Sequence, residues 1–176
     1  HSGIGVVSSC IYGVTLIVLY TMSSVYHGLR PGMAKKVMQV LDHCTIYFLI
    51  AGSYTPILLV AMRPKYPALA WVLFGIVWGC AIIACALTAI DLKKYSVFSM
   101  ICYLAMGWTI IFFIKQTYEV MSLGGVIFLV AGGVAYTVGS ILYGLGSSHK
   151  WMHSIFHLFI LAGSILHFFA IILYAL

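Results

Sequence analysis

The chain is built as a series of apolar runs, each about 20 residues long, parted by short polar breaks. Nothing else in it limits the fold so strictly. A hydrocarbon layer about 30 Å thick is crossed by about 20 apolar residues in an α-helix, and every backbone donor and acceptor must then be satisfied within the segment itself. Read for such runs, the chain has six spans, at roughly 4–27, 39–62, 68–90, 97–114, 123–145 and 152–174. The breaks GLRPGMAKKVM, RPKYP, DLKKYS, KQTYEVMS and GSSHK each hold a basic residue, and several hold Gly or Pro. Connections this short join antiparallel neighbours. The alternating segments of about 10 residues that a membrane barrel needs are absent. The expectation is all-α: a polytopic transmembrane helical bundle, one domain over residues 1–176.

Composition agrees. Charged residues make up 7% of the chain and hydrophobic ones 64%, with a mean hydropathy of +1.13, whereas a soluble domain is roughly a quarter charged. The chain starts at His1 without Met and without a signal-peptide pattern, so a further N-terminal span is expected to be missing from it. Basic residues in short loops stay on the cytoplasmic side. The first, third and fifth breaks hold Arg30, Lys35, Lys36, Lys93, Lys94 and Lys150; the second and fourth hold Arg63, Lys65 and Lys115. The first set is therefore expected to face the cytoplasm, and the net charge of +6 reads as topology rather than as nucleic-acid binding.

Within the spans a few residues call for an explanation. Cys10, Cys44, Cys80, Cys85 and Cys102 have neither disulfide-framework nor thiolate-zinc spacing and read as packing residues. Ala131, Ala135 and Gly139 recur every four residues, a ridge that lets a neighbouring helix come close. Tyr54, Thr55 and Pro56 mark a kink, because Pro removes one backbone donor and crowds the preceding turn. The four tryptophans read as interfacial anchors and packing.

The histidines and one carboxylate are different. An imidazole in hydrocarbon costs several kcal/mol unless it finds a partner. His153 and His157 are four apart, so on a helix they stand one turn above one another, near enough to share a metal ion. His27 closes the first span and Asp42 lies early in the second; by the topology above, both approach the same membrane face as His153 and His157. Ser23 precedes His27 by one turn on the same helical face, placed to hydrogen-bond a ligand. His43 points about 100° away from Asp42 and reads as an interfacial or packing histidine. His167 is too deep for the same site and is expected to hydrogen-bond a neighbouring helix; His1 and His149 lie outside the spans and read as solvated.

The strings SSVYHGL, LDHCTIYFLIAGSYTP, YLAMGW, GGVAYTVGSILYGL and HSIFHLFILAGSILHFFAI, in this order, resemble the hemolysin III branch of the progestin and adipoQ receptor family, to which the adiponectin receptors belong. The resemblance covers essentially the whole chain, and the S-x-x-x-H, D and H-x-x-x-H combination is specific. It implies seven spans, the first missing here. It also implies zinc held by His27, His153 and His157, with Asp42 holding the water at the metal and Ser23 beside the site. His43 departs from the receptors, which carry an aromatic residue there, and resembles the bacterial branch.

Three neutral imidazoles would leave a tetrahedral zinc with one open corner, the arrangement of catalytic sites, where water is activated and an acyl carbonyl polarised while Asp42 orients that water and takes its proton. The expected function is an integral membrane zinc-dependent hydrolase of a lipid amide, ceramide-like, or ester, serving membrane-lipid homeostasis. Its partners are the bilayer and a lipid substrate, its location the bacterial plasma membrane, and its metal lies near the cytoplasmic face. Two alternatives stand beside it: a pore-forming cytolytic protein, and a non-catalytic sensor stabilised by zinc.

Overall fold

The computed structural model describes residues 3–145 and 151–176. His1, His149 and Lys150 lie outside the described residues. Every extended element is helical, and among the described residues there is no strand. The helices are α1 (Gly3–Gly28), α2 (Met33–Pro56), α3 (Pro67–Ile90), α4 (Ser96–Gly107), α5 (Ile114–Leu145) and α6 (Met152–Tyr174). A π-helical turn, Ile57–Met62, prolongs α2, and a 3-10 stretch, Trp108–Phe113, stands between α4 and α5. Five helical stretches among the described residues are long and apolar enough to cross a membrane, one of them the 49-residue run Ser96–Gly144. At 1.5 Å per residue that run is long enough for two crossings of a layer about 30 Å thick, and its backbone leaves the helical region once, at Ser122 (φ 60°, ψ 176°). The chain is an integral membrane protein by these helices.

Two boundaries depart from the expected spans. α2 begins at Met33 instead of about 39, so Lys35 and Lys36 belong to its first turn and not to a loop. The break KQTYEVMS is helical as far as Met121, and the interruption is confined to Ser122. Glu119 and Met121 favour helix and Tyr118 and Val120 disfavour it only slightly, and polarity alone does not end a helix.

The chain divides into two compact units, residues 1–106 and 107–176. In the first, α2 and the π-helical turn after it form the centre: they are buried over most of their apolar length, whereas α1 is mostly uncovered, and both α1 and α3 pack on α2. Tyr47, Ala51, Thr55, Leu58 and Met62 are fully enclosed. Pro56 has no N–H to give, so the ladder shifts around it. Ile57 N–H turns to Tyr54 O, and six residues later Arg63 N–H reaches back five residues to Leu58 O at 2.8 Å. The expected disturbance at Pro56 thus takes the form of a widened turn.

Hydroxyls bind the first unit together. Thr88 Oγ1 donates its one proton to Ala84 O at 2.8 Å, so Tyr47 Oη at 3.0 Å and Ser99 Oγ at 2.9 Å must both donate to it. That single buried oxygen joins α2, α3 and α4. Such interhelical bonds contribute about 0.6 kcal/mol each in a membrane.

In the second unit α5 packs along α6. The helices approach closely at Gly132, where an added methyl would strike the His167 ring, at Gly124 and Gly125 against Tyr174, and at Gly139, which lies against Phe156, Phe159 and Ile160. The expected ridge is therefore turned: Gly139 lies on it, while Ala131 and Ala135 are only half-buried. Both units fasten a tryptophan in the same way. Trp78 Nε1 donates to Thr55 Oγ1 at 3.1 Å and Trp108 Nε1 to Thr137 Oγ1 at 2.9 Å, each threonine passing its own proton to a carbonyl one turn back.

Candidate metal-binding residues

In the second unit, His153 and His157 occupy the first two turns of α6 and face each other. Their Nε2 atoms are 3.1 Å apart, with ring centroids at 4.7 Å and ring planes at 87°. His153 is exposed and His157 half-buried. Aromatic neighbours steady both rings: Phe156 lies 5.8 Å from His153 and 4.8 Å from His157, and Tyr143 of α5 lies 6.2 Å from His153.

That separation suits a metal. A tetrahedral ion with bonds of about 2.0–2.1 Å places two nitrogens about 3.3 Å apart, close to what is found here before any ion is added. The same distance serves a hydrogen bond in which one Nε2–H donates to the other, so the pair is held together whether or not metal is present. The donor set, neutral imidazole, fits zinc.

In the first unit, His27 ends α1 and is exposed. Its ring lies 4.6 Å from that of Tyr26. Ser23 is half-buried one turn earlier on the same helix. Asp42 is half-buried in α2, two turns into the membrane segment from Lys35. Its backbone carbonyl accepts from Thr45 Oγ1 at 2.8 Å.

The remaining histidines separate cleanly. His43 Nδ1 lies 2.8 Å from Gln39 O; a carbonyl only accepts, so this nitrogen carries the proton. The backbone carbonyl of His43 receives Tyr103 Oη at 2.8 Å, a packing arrangement. His167 Nε2 donates to Leu129 O of α5 at 3.2 Å, as expected of a histidine bonded to a neighbouring helix. Tyr26 and Lys35 were not among the residues singled out by the sequence. Lys35 Nζ stands 5.2 Å from the Tyr26 ring centroid, and the available clue was a basic residue falling inside a helix start rather than in a loop.

The family profile described as Haemolysin-III related matches residues 2–168. Hemolysin-3 of Bacillus cereus is 39% identical over 171 residues, 97% of this chain and 76% of that protein. A Hemolysin-3 homolog of Bacillus subtilis is 36% identical over 96% of this chain and 78% of its own length. The human Monocyte to macrophage differentiation factor is 27% identical over 94% of this chain and 69% of its own. No solved structure matches significantly.

Proposed function

The chain belongs to the haemolysin-III-related family, and from that premise we propose that it is an integral membrane hydrolase using zinc held by His27, His153 and His157 to cleave a lipid amide or ester. The observation that carries this reading is the 3.1 Å approach of the His153 and His157 Nε2 atoms, a spacing matched to ligands of one ion. His27 offers the third imidazole. Zinc bound there supplies a Lewis acid that polarises an acyl carbonyl and acidifies water.

The chain's own groups do the rest. His27, His153 and His157 would hold zinc through three imidazoles, leaving room for water at the metal. Asp42 orients the attacking water and accepts its proton, and Ser23 hydrogen-bonds beside it. A ceramide-like lipid is the favoured substrate class, since its acyl chain remains in the apolar layer while its amide meets the water at the interface. The excess of basic residues in the first, third and fifth breaks supports a site near the cytoplasmic face of a bacterial plasma membrane. Serving membrane-lipid homeostasis follows from that location and substrate.

The name of the Bacillus cereus relative, Hemolysin-3, speaks of lysis. With 7% charged residues the chain has little with which to line a wide aqueous pore. Purified protein is expected to carry about one zinc, by the single open-cornered site, and to release fatty acid from a ceramide-like lipid, with both lost in His153→Ala. Full zinc content without turnover on any lipid amide or ester would remove the hydrolase reading. Leakage of dye from liposomes at defined protein density would favour the lytic one.

A further inference from the structure

Four residues, 29–32, join α1 to α2, so the turn that carries His27 and the turn that opens α2 are neighbours by chain connection. Lys35 lies in that opening turn and is half-buried, unlike Lys36 beside it, which is exposed. Its ammonium makes two contacts, both on the last turn of α1 and the residue just after it. Nζ donates to Leu29 O at 2.9 Å and stands 5.2 Å from the centroid of the Tyr26 ring.

Each contact has a physical cause. Carbonyls at the end of a helix lack intrahelical donors and carry the negative end of its dipole, which favours a cation. The face of an aromatic ring attracts the same charge. A lysine at a membrane interface ordinarily extends toward water or lipid headgroups; this one turns back onto the protein.

What it touches lies on both sides of His27. Tyr26 precedes that histidine and rests on its ring at 4.6 Å, and Leu29 follows it by two residues. Asp42 is seven residues beyond Lys35, two turns along the same face of α2. Tyr26 is therefore the common neighbour of Lys35 and His27.

We infer that Lys35 is a positioning residue: by pinning the end of α1 to the start of α2 through Leu29 O and the Tyr26 ring, it fixes where His27 and Asp42 stand and thereby sets the affinity for zinc. The inference rests on the zinc reading above, and it makes a separate claim about the metal-free chain.

The test uses the whole chain in lipid nanodiscs with Lys35→Met, Lys35→Arg and Lys36→Met. Methionine keeps the length of the stem and removes the charge; arginine keeps charge, donor and ring contact; the Lys36 change repeats the loss of charge without the clamp. In zinc-free protein, amide exchange over residues 25–29 is expected to rise about tenfold in Lys35→Met and to stay near wild type in the other two. Zinc affinity, read by competition with a chromophoric chelator, is expected to fall about 10–100-fold in Lys35→Met, the range for groups that orient metal ligands, and to return to within about threefold in Lys35→Arg. Tyr26→Leu, which removes the ring and leaves the lysine, is expected to weaken zinc in the same direction and serves where Lys35→Met does not fold.

Unchanged exchange, unchanged affinity in both Lys35→Met and Tyr26→Leu, or an equal loss in Lys36→Met would overturn the clamp. A wild-type chain that takes up no zinc defeats the reading of the site instead, before any variant is compared.

Discussion

The two ends of α6 hold histidines in opposite circumstances. Near its start, His153 and His157 turn their nitrogens toward each other at 3.1 Å, with His153 exposed. About 15 Å further along, at 1.5 Å per residue, His167 gives its proton to the Leu129 carbonyl of α5 and packs edge-on against Tyr136 at 5.2 Å. One helix therefore answers the cost of a polar ring in hydrocarbon twice. At the deep end a backbone oxygen and tight packing satisfy the ring, which is the solution of a structural residue. At the shallow end the two imidazoles turn their ring nitrogens toward each other, the arrangement that the proposed zinc site would use.

The two ends are expected to respond differently to substitution. The largest effect is expected from His153→Ala: zinc affinity falls by more than about 100-fold, beyond the about 10–100-fold of a change behind a ligand, with thermal stability of the zinc-free chain little altered. Chelator competition and a melting curve check both halves, and a large loss of zinc affinity from His167→Gln would break the contrast. Next in size is Gly132→Ala, whose methyl meets the His167 ring and lies 3.2 Å from the Gly163 carbonyl. It is expected to destabilise by about 1–3 kcal/mol and to leave zinc untouched, as denaturation in detergent beside elemental analysis would reveal. Smallest is Ser164→Ala, which takes the partner at 2.8 Å from Tyr136 Oη. A loss of about 0.6 kcal/mol is expected, again without change in metal content.

Much of this arrangement was legible in the sequence. Apolar run length located α3 and α6 to within a residue, because Pro67 opens one helix at its first position and the other has no competing signal inside it. The H-x-x-x-H spacing led directly to the facing pair, since one turn of helix leaves four-apart side chains little choice. Pro56 announced its break for a covalent reason, although the π-helical form of that break depended on what the surrounding helices allowed.

Other features resisted reading because tertiary contacts choose among local possibilities. Ser122 adopts a positive φ though Gly124 and Gly125 stand two and three residues on. The tight face of α5 passes through Gly132 rather than Ala131 and Ala135, a rotation decided by where the His167 ring stands. The Tyr47, Thr88 and Ser99 hydroxyls gave no hint of one another, being scattered among apolar neighbours in three helices. Lys35 was hidden by the same logic that located the loops: a basic residue near a membrane face reads as topology, and its turn back onto Tyr26 exists only in three dimensions.

In the proposed site, imidazole nitrogens would surround a zinc ion with one position left to water. Zinc-edge X-ray absorption on the purified protein tests it most directly. The account predicts three histidine nitrogens at about 2.0–2.1 Å with one oxygen completing a four-coordinate shell. A shell containing sulfur at about 2.3 Å, or a spectrum unchanged by His153→Ala, would contradict it.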